Sequence, residues 1–520
     1  MKKILNAGIV GLMLMIGFSS CTKFLDINKN PNQPTSSTPE LVLPQALTGA
    51  ATVMNNYNTM GAQLGGYMAN AGGYGGFGAN VTYDFSAGDY ANCWNTTYDN
   101  LTDFQWIITN TTEDPTYAYF SAVSKIMKAF EFQLLVDTYN DLPYAEAFQE
   151  NQKLTPVYDD AKSVYTAIYA LLDEAIGEIK SASGSEKELG TADVVFGGDT
   201  DAWIRFANTI KLRIAIRGKA GGLSLTGDYS DGFITKDVLV NPGFRKENGK
   251  QNPTYNNWAY TYSGTPGNRA WMPTQFVYNF YFGKLTDYRG YAIFNPYDNF
   301  DRGTNQLGYE GNDVEKAAAA GNWTYTGSDQ KSDNNIGLMK GPGAGRPLIT
   351  LAEADFLQAE AALDGGLGVT GDAEELFNKG VKDSYRYVYS RLDGTFDLGG
   401  WDPQADYEAY LDLNDSYLVH FENTSSNAEK LEAIITQKYI AVNMINSDQG
   451  WNDFRRTGFP KIVNGSSDGL LTFASTQSKS TRPDKLISRV LYPTSERSYN
   501  NANMPKDITV FTSRIFWDAD

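Results

Sequence analysis

The sequence predicts a mostly α-helical fold in which pairs of helices are separated by long loop segments. Apolar residues recur every three or four positions in several segments, as they do along one face of a helix. The alternation of apolar and polar residues that would indicate strands is scarce. Hydrophobic residues make up 42% and charged residues 20% of the 520, a composition typical of a globular chain with a large core.

The chain begins with a predicted signal peptide, residues 1–20. Lys2 and Lys3 supply its positive start, and the apolar run from Ile4 to Phe18 follows. That run is shorter than the ~20 residues that a membrane-spanning helix needs. We therefore expect export of the chain, with removal of this segment.

Cys21 is the predicted site of lipid attachment. The letters FSSC resemble the relaxed lipobox of bacterial lipoproteins, with Phe18 where Leu is commoner. An ordinary signal peptide with a chance cysteine is the alternative. Acylation (diacylglycerol and palmitate) would leave Cys93 without a disulfide partner, so an exported protein would rely on its core for stability.

A polar, turn-rich stretch at 21–39 is the expected tether, and residues 40–520 are expected to form a single helical domain. Within that domain, the apolar spacing predicts helices in order along the chain. The predicted helices lie at Tyr117–Val136, around Val164–Ile179, around Trp203–Ile214, at Leu348–Leu363, at Glu375–Tyr387 and around Leu431–Ile445.

Between about 219 and 345 no strong amphipathic pattern appears. The segment is rich in Gly, Asn, Pro and aromatic residues, and a stretch of this length is far longer than an ordinary connection. A second loop-like segment, "LGGYMANAGGYGGFGANVTYDFSAGDYANCW", lies near the N-terminus. We expect both segments to contribute to a functional surface.

The charge balance excludes some partners. The chain has 61 acidic and 43 basic residues, a formal net charge of -18, whereas nucleic-acid binding depends on clustered Lys and Arg. Between Asn30 and Ser124 there is no Lys or Arg, so a ligand of that segment is not expected to be recognised through carboxylates or sulfates.

Few catalytic or metal-binding groups are available. His420 is the only histidine and no nucleophile-elbow pattern accompanies it, so a structural role is expected. Zinc would lack ligands, no cofactor is expected, and a calcium site in "NPYDNFDRG" stays open. The letters GPGAGRP lack the ending of a phosphate-binding loop and are interpreted as a turn with a helix starting after Pro347.

Aromatic residues in the two loop segments are the candidate ligand contacts. Flat aromatic rings beside amides suit the apolar faces and hydroxyl rims of sugars. The candidates are Tyr67, Tyr74, Phe77 and Trp94 in the first segment and Trp258, Tyr260, Tyr262, Trp271 and Trp323 in the second.

Several segments together resemble the SusD/RagB family of outer-membrane nutrient-binding lipoproteins, in particular its SusD-like second subgroup. The resemblance extends over nearly the whole mature chain, in the expected order. Its carriers are NPNQP after Cys21, DTYNDLPYAEAF at Asp137, TPVYDDAKSVYTAIYALLDEAI at Thr155, WIRFANTIKLRIAIR at Trp203, RPLITLAEADFLQAEAAL at Arg346, IITQKYIA, WNDFRRTGFP at Trp451 and RVLYPTSERSYN at Arg489.

The resemblance implies tetratricopeptide-like helix pairs, with loops and a few short strands forming the ligand face. It also implies a location at the outer membrane of a Gram-negative, Bacteroidetes-like cell, anchored by lipid and facing outward. The implied partner is a SusC-like TonB-dependent β-barrel. Trp94 is the favoured contact by position, because an aromatic residue often opens the corresponding helix in family members.

Some matched motifs predict structural contacts rather than ligand contacts. Arg455 and Arg456 lie beside Asp453 and aromatic residues, which indicates a buried cluster of ion pairs and stacked rings. Glu353 and Glu360 lie seven positions apart, on one face of a helix, where they are expected to bind backbone or Arg. In GKLTDYRGY, Tyr288 replaces the Pro expected there, which leaves the local loop shape open.

We expect a binding subunit that captures oligosaccharides for import and has no enzymatic activity. A peptide-binding subunit of the same type of importer is the first alternative. The alternative from another class is a lipid-anchored helical glycoside hydrolase, since paired carboxylates could exist unseen among 61 acids.

Overall fold

A computed structural model describes residues 37–71, 77–149, 152–268, 270–294, 304–309 and 334–518. These residues form a mostly helical protein, which confirms the predicted fold class. The helices are α1 Pro39–Leu64, α2 Ala79–Thr82, α3 Ala91–Thr111, α4 Ala118–Tyr139, α5 Ala161–Lys180, α6 Thr200–Ala220, α7 Pro253–Trp258, α8 Gln275–Phe282, α9 Arg289–Ile293, α10 Leu351–Asp364, α11 Ala373–Tyr389, α12 Pro403–Asp412, α13 Asn427–Ala441, α14 Ser447–Thr457 and α15 Thr494–Tyr499.

The long helices pack as neighbouring pairs, as in a helical-repeat protein. α1 packs on α3, α3 on α4, α4 on α5 and α5 on α6, and α10 packs on α11 in the second half. Contacts of α1 with α14 and of α6 with α10 join the two halves. The pairing predicted from apolar spacing is therefore present.

Side-chain caps fix where several of these helices begin. Asp160, Asp199 and Asp372 accept hydrogen bonds from the free backbone N–H groups at the starts of α5, α6 and α11. Thr350 does the same for α10 through the N–H of Glu353. Each such cap contributes about 1 kcal/mol to stability.

The helix α1 was not predicted from periodicity. Its apolar residues surround most of its circumference, because α3, α4 and α14 cover it on several sides. At Gly61 the backbone of α14 comes so close that an added Cβ would lie 2.0 Å from the backbone nitrogen of Asp448. A helix that is buried on most sides lacks the polar face from which a 3.6-residue period of apolar residues is recognised.

Four short strands form two antiparallel ribbons in the described ranges. β1 (Met68–Asn70) pairs with β3 (Trp271–Pro273), and β2 (Val238–Val240) pairs with β4 (Arg346–Ile349). The prediction of a helix start after Pro347 was wrong. Residues of β4 are extended because they pair with β2, and α10 begins only at Leu351.

The segment 219–345, predicted to lack helices, contains three short ones where it is described. α7, α8 and α9 are five to eight residues long, too short for a periodic pattern to stand out. The end of the segment is fixed by Lys340, which is buried. Its ammonium donates to the carbonyl of Tyr387 at 2.6 Å and to that of Ser390, near the C-terminus of α11.

A network of buried ion pairs crosses the core, as the motifs predicted. Arg456 contacts Glu360 at 2.5 Å and Asp453 at 3.2 Å, and the guanidinium of Arg455 lies 3.7 Å from the Trp451 ring centroid. Glu353 likewise pairs with Arg213 at 3.2 Å. The predictions for these arginines and glutamates are confirmed.

The C-terminal segment closes this network. The indole of Trp517 donates to Asp137 of α4 at 2.8 Å, and the other oxygen of Asp137 pairs with Arg217 of α6. Arg217 also donates to Gln449 of α14 at 2.6 Å. Four distant parts of the chain therefore meet at one buried carboxylate.

Within the described ranges, no helix is both long enough and apolar enough to cross a membrane.

Candidate functional site

The ribbon formed by β1 and β3 joins the two aromatic segments. Asn70 of β1 lies opposite Trp271 of β3. The pairing continues one step further, where Ala71 N–H donates to the Ala270 carbonyl at 2.8 Å. Segments that are far apart in the sequence therefore form one surface here.

Phe77 and Trp271 form an edge-to-face pair on this ribbon. Their ring centroids are 5.1 Å apart at an interplanar angle of 81°, a favoured geometry for aromatic contacts. Phe77 is buried and Trp271 is half-buried. Asn268 fixes the Trp271 backbone, accepting its N–H at 3.0 Å and donating to its carbonyl at 2.8 Å. Trp271 is thus held in place with part of its ring open to a ligand.

Two buried asparagines, Asn70 and Asn305, bind a third segment, residues 304–309, to the ribbon. Asn70 donates to the Tyr309 carbonyl at 3.1 Å and accepts the Gly308 N–H at 2.9 Å. Asn305 donates to the Asn70 carbonyl at 2.8 Å. These contacts hold Tyr309, which is 45% exposed, beside the ribbon. We call β1, β3, Phe77 and residues 304–309 together the aromatic ribbon.

Sequence reasoning missed Asn70, Asn305 and Tyr309. Their roles depend on pairing between remote segments, and single asparagines carry no local signal for such contacts. No described residue of the aromatic ribbon is charged. The ribbon therefore presents aromatic faces and amide groups.

Trp258 and Tyr260 lie just before β3. Trp258 ends α7 and is 6% exposed, and its indole N–H has no hydrogen-bond partner among the described residues. Tyr260 is half-buried and forms a bridge with Pro266 across a tight hairpin. Trp258 is therefore part of the hydrophobic core, whereas Tyr260 keeps some accessible surface.

Two candidate contacts lie in the core instead. Tyr67 is 0% exposed, stacks on Tyr439 with centroids 4.3 Å apart, and donates to the Tyr439 carbonyl at 3.0 Å. Trp94 does open α3 near its start, but it is 4% exposed and is surrounded by other rings. Those rings are Tyr98, Tyr139, Tyr158 and Tyr492. We correct the expectation for both residues, because a ligand would reach them only if the core opened.

Three further residues named from the sequence, Cys21, Tyr74 and Trp323, lie outside the described residues. Tyr262 lies in the same hairpin as Tyr260 and is 49% exposed.

A pair of carboxyl groups, Asp355 and Asp383, lies in a groove between α10 and α11. Lys379 contacts both, at 2.6 Å and 3.1 Å. Burial, together with the neighbouring Asp383, raises the pKa of Asp355 to about 8. Because the side chain of Asp355 is only 1% exposed and Lys379 binds it as well as Asp383, the pair offers no free carboxylate to act as the nucleophile or base of a glycosidase.

His420 has structural partners. Its ring nitrogens lie 2.9 Å from Glu422 and 3.0 Å from the Leu411 carbonyl, which agrees with the structural role expected. Among the described residues, no group of three or more His, Cys, Asp or Glu side chains could hold a metal ion.

Comparison with known proteins gives one family and one fold. The profile of the SusD-like second subgroup, described as starch-binding proteins associating with the outer membrane, matches residues 31–493. No curated protein matches the chain significantly.

Several solved structures share the fold. A SusD homologue from Bacteroides uniformis is 22% identical, with a TM-score of 0.63, over 92% of this chain and 99% of that one. A chitin-binding SusD homologue from Flavobacterium johnsoniae is 21% identical, with a TM-score of 0.67, over 91% and 98%. A SusD/RagB family protein from Bacteroides thetaiotaomicron is 20% identical, with a TM-score of 0.67, over 93% and 99%.

Proposed function

The chain belongs to the SusD-like family of starch-binding proteins that associate with the outer membrane, and from this we propose that it captures oligosaccharides and delivers them to a transporter. The transporter would be a SusC-like TonB-dependent barrel in the same membrane. The protein itself would bind and release its ligand without breaking bonds.

The aromatic ribbon is the observation that carries this proposal. It offers the half-buried Trp271 and the exposed Tyr309 on one framework that buried amides fix. Flat rings match the apolar faces of sugars, and neighbouring amides match their hydroxyl groups. A site fixed before binding loses little conformational entropy when the ligand arrives.

The absence of charge along the described part of the ribbon favours a neutral sugar. A neutral site avoids the cost of desolvating an unpaired charge, and an anionic ligand would gain no ion pair there. We propose Tyr260, Trp271 and Tyr309 as ligand contacts, with the buried Phe77 holding the Trp271 ring in place through their edge-to-face contact.

Anchoring is the second part of the proposal. Acylated Cys21 would hold the protein to the outer leaflet, and the polar stretch that follows it would let the helical body move against the barrel. Two or three acyl chains are needed for stable attachment, because one chain binds only marginally.

Affinity electrophoresis and calorimetry against neutral glycans, including starch and chitin oligosaccharides, test the binding site. Trp271→Ala should weaken glycan binding about tenfold or more, as expected for loss of an aromatic anchor. Trp401→Ala is the matched control, because Trp401 is also half-buried and also edge-on to an aromatic ring, Tyr389, at 5.2 Å. It lies just before α12, outside the ribbon.

The proposal fails if both tryptophan variants bind glycan equally well, or if the protein binds no glycan. Binding of short peptides in place of glycans would favour the peptide-importing alternative. Release of shorter sugars from an oligosaccharide by the pure protein would instead indicate a hydrolase.

A further inference from the structure

A second site candidate lies in the groove between α10 and α11, which shares no residue with the aromatic ribbon. The groove has a volume of about 600 Å³ and is also lined by residues 233–235 and by the start of α12. Its wall on the α11 side carries Lys379, Lys382 and Arg386. These positions are three and four residues apart, so the three cations lie along one face of the helix.

Two of these three cationic side chains remain available to bind an anionic ligand. Lys379 is already bound by two carboxyl groups, Asp355 and Asp383. Lys382 forms no ion pair with any described residue, and its ammonium lies 4.9 Å from the ring centroid of Tyr407. Arg386 is 63% exposed, and its only ion pair among the described residues is with Asp383, at 3.7 Å.

This arrangement is unusual for the molecule, because the chain as a whole carries a net charge of -18. Lys382 and Arg386 lie about one helical turn apart, about 6 Å along the axis. That spacing suits one carboxylate bridging an ammonium and a guanidinium through charge-assisted hydrogen bonds.

The floor of the groove does not oppose an anion. Asp355 lies there, and one of its oxygens is buried without a hydrogen-bond donor among the described residues. Burial, together with the neighbouring Asp383, raises the pKa of Asp355 to about 8, which favours its uncharged form. Lys379 contacts both carboxyl groups and offsets the negative charge of the pair.

Neutral hydrogen-bonding groups line the rest of the groove. Thr235, Gln358 and Gln404 face it. Gln358 donates one amide hydrogen to the Ala354 carbonyl at 3.1 Å, which leaves its oxygen for another donor. The ring hydroxyl groups of a sugar acid could form hydrogen bonds with these neutral groups. An acidic amino-acid side chain has no hydroxyl groups and could not.

We propose that this groove binds the carboxylate and hydroxyl groups of an acidic sugar, a uronate, as a second ligand site apart from the aromatic ribbon. Lys382 and Arg386 bind the carboxylate, and the amides and Thr235 contact the ring hydroxyls. The ribbon takes neutral sugar units and the groove takes charged ones, so a mixed polysaccharide could engage both.

Calorimetry at pH 7 and low ionic strength, with trigalacturonic acid as the probe, tests this proposal on the full mature protein. The neutral trisaccharide galactotriose is the ligand control. We expect trigalacturonic acid binding to weaken about tenfold or more in the double variant K382Q/R386Q, from loss of two charge-assisted contacts. The double variant K162Q/K430Q, with the same change in net charge at sites outside the groove, should bind like the wild type.

Further measurements separate this site from general electrostatics and from the ribbon. Raising the salt from about 0.01 M to about 1 M should weaken binding of the acid. Trp271→Ala should leave trigalacturonic acid binding intact, and K382Q/R386Q should keep the neutral-glycan binding and the melting temperature of the wild type. These measurements show separately whether the proposed glycan site on the ribbon is wrong and whether the proposed uronate site in the groove is wrong.

Four outcomes would overturn the inference. They are no binding of trigalacturonic acid, equal binding of galactotriose, equal losses in the two double variants, and equally tight binding of the peptide triglutamate. The last result would make the groove a site for acidic peptides.

Discussion

Asp355 shows how one side chain can set a pH dependence. It is buried on α10, and its pKa is raised from 3.8 to about 8 by burial and by the nearby Asp383. The folded protein therefore holds a proton that the unfolded chain releases at much lower pH. Between about pH 4 and pH 8, this difference lowers the free energy of unfolding as the pH rises, and below and above that window the contribution is constant.

Asp355→Asn should remove this contribution. The amide introduced by the substitution keeps an oxygen for Lys379 and gains an N–H group that can donate to Asp383, so it imitates the protonated acid. We expect the wild-type free energy of unfolding to fall relative to the variant by at most about 1.4 kcal/mol per pH unit between pH 4 and 8. Denaturant unfolding at a series of pH values measures this slope.

Asp99→Asn, on the exposed side of α3, is the control for loss of a carboxylate. Its stability curve should run parallel to that of the wild type. Parallel curves for Asp355→Asn and the wild type would show that Asp355 is ionised in the folded protein at neutral pH.

Residue contacts in the core were more predictable than those at the site. Glu353, Glu360 and Arg456 lie in helices or motifs whose spacing placed them on buried faces, and each has the partner type expected. Tyr67 and Trp94 looked like ligand contacts because they lie in or next to a Gly-rich loop segment. Their burial arises from α13 and from the C-terminal segment, which local sequence does not reveal.

At the scale of elements, helix contacts depend on where glycine permits close approach. Gly61 of α1 lies against the backbone of α14, and an added Cβ would be 2.0 Å from the nitrogen of Asp448. Gly177 of α5 is exposed, and an added Cβ there would meet nothing within 4 Å. The two glycines are therefore a matched pair, both in the last turns of a long helix.

Gly61→Ala should destabilise the protein and Gly177→Ala should stabilise it. At Gly61 the helices must separate, at a cost of about 1–3 kcal/mol or more. At Gly177 alanine loses less conformational entropy on folding, a gain of roughly 0.5–1 kcal/mol. Thermal and denaturant unfolding of the two variants measure both effects. A stable Gly61→Ala protein would mean that α1 and α14 do not touch at this point.

Amphipathic character accounts for only part of which helices were predictable, since α4 is buried over nearly its whole length and was still located from its apolar spacing. α5 and α11 alternate apolar and polar faces and were located from spacing alone, whereas α1, buried on most sides, was missed. The resemblance implied a few short strands, but their positions were not predicted, for a different reason. A three-residue strand such as β1 or β3 has almost no pattern, and its existence depends on a partner far away in the chain.

At the scale of the whole molecule, the proposed anchor makes a simple prediction. Cys21→Ala removes the only group to which lipid is expected to be attached, so the protein should leave the membrane fraction. Fractionation of cells followed by a high-salt wash measures this. Cys93→Ala is the control, because Cys93 is a buried free thiol whose nearest sulfur, Met60 Sδ, is 4.0 Å away. Retention of the Cys21→Ala protein on washed membranes would contradict the anchor.

The carboxylate of Asp137 also constrains the order in which the molecule can fold. Its partners Arg217 and Trp517, together with Gln449 behind Arg217, come from positions spread over most of the chain. Contacts of such long sequence separation form slowly, because the entropy of closing large loops is lost before the contacts compensate for it. The buried cluster at Asp137 is complete only after Trp517 has been synthesised, so this part of the core forms late. With the export that residues 1–20 predict, such a delay would help to keep the chain unfolded for passage through a translocation channel.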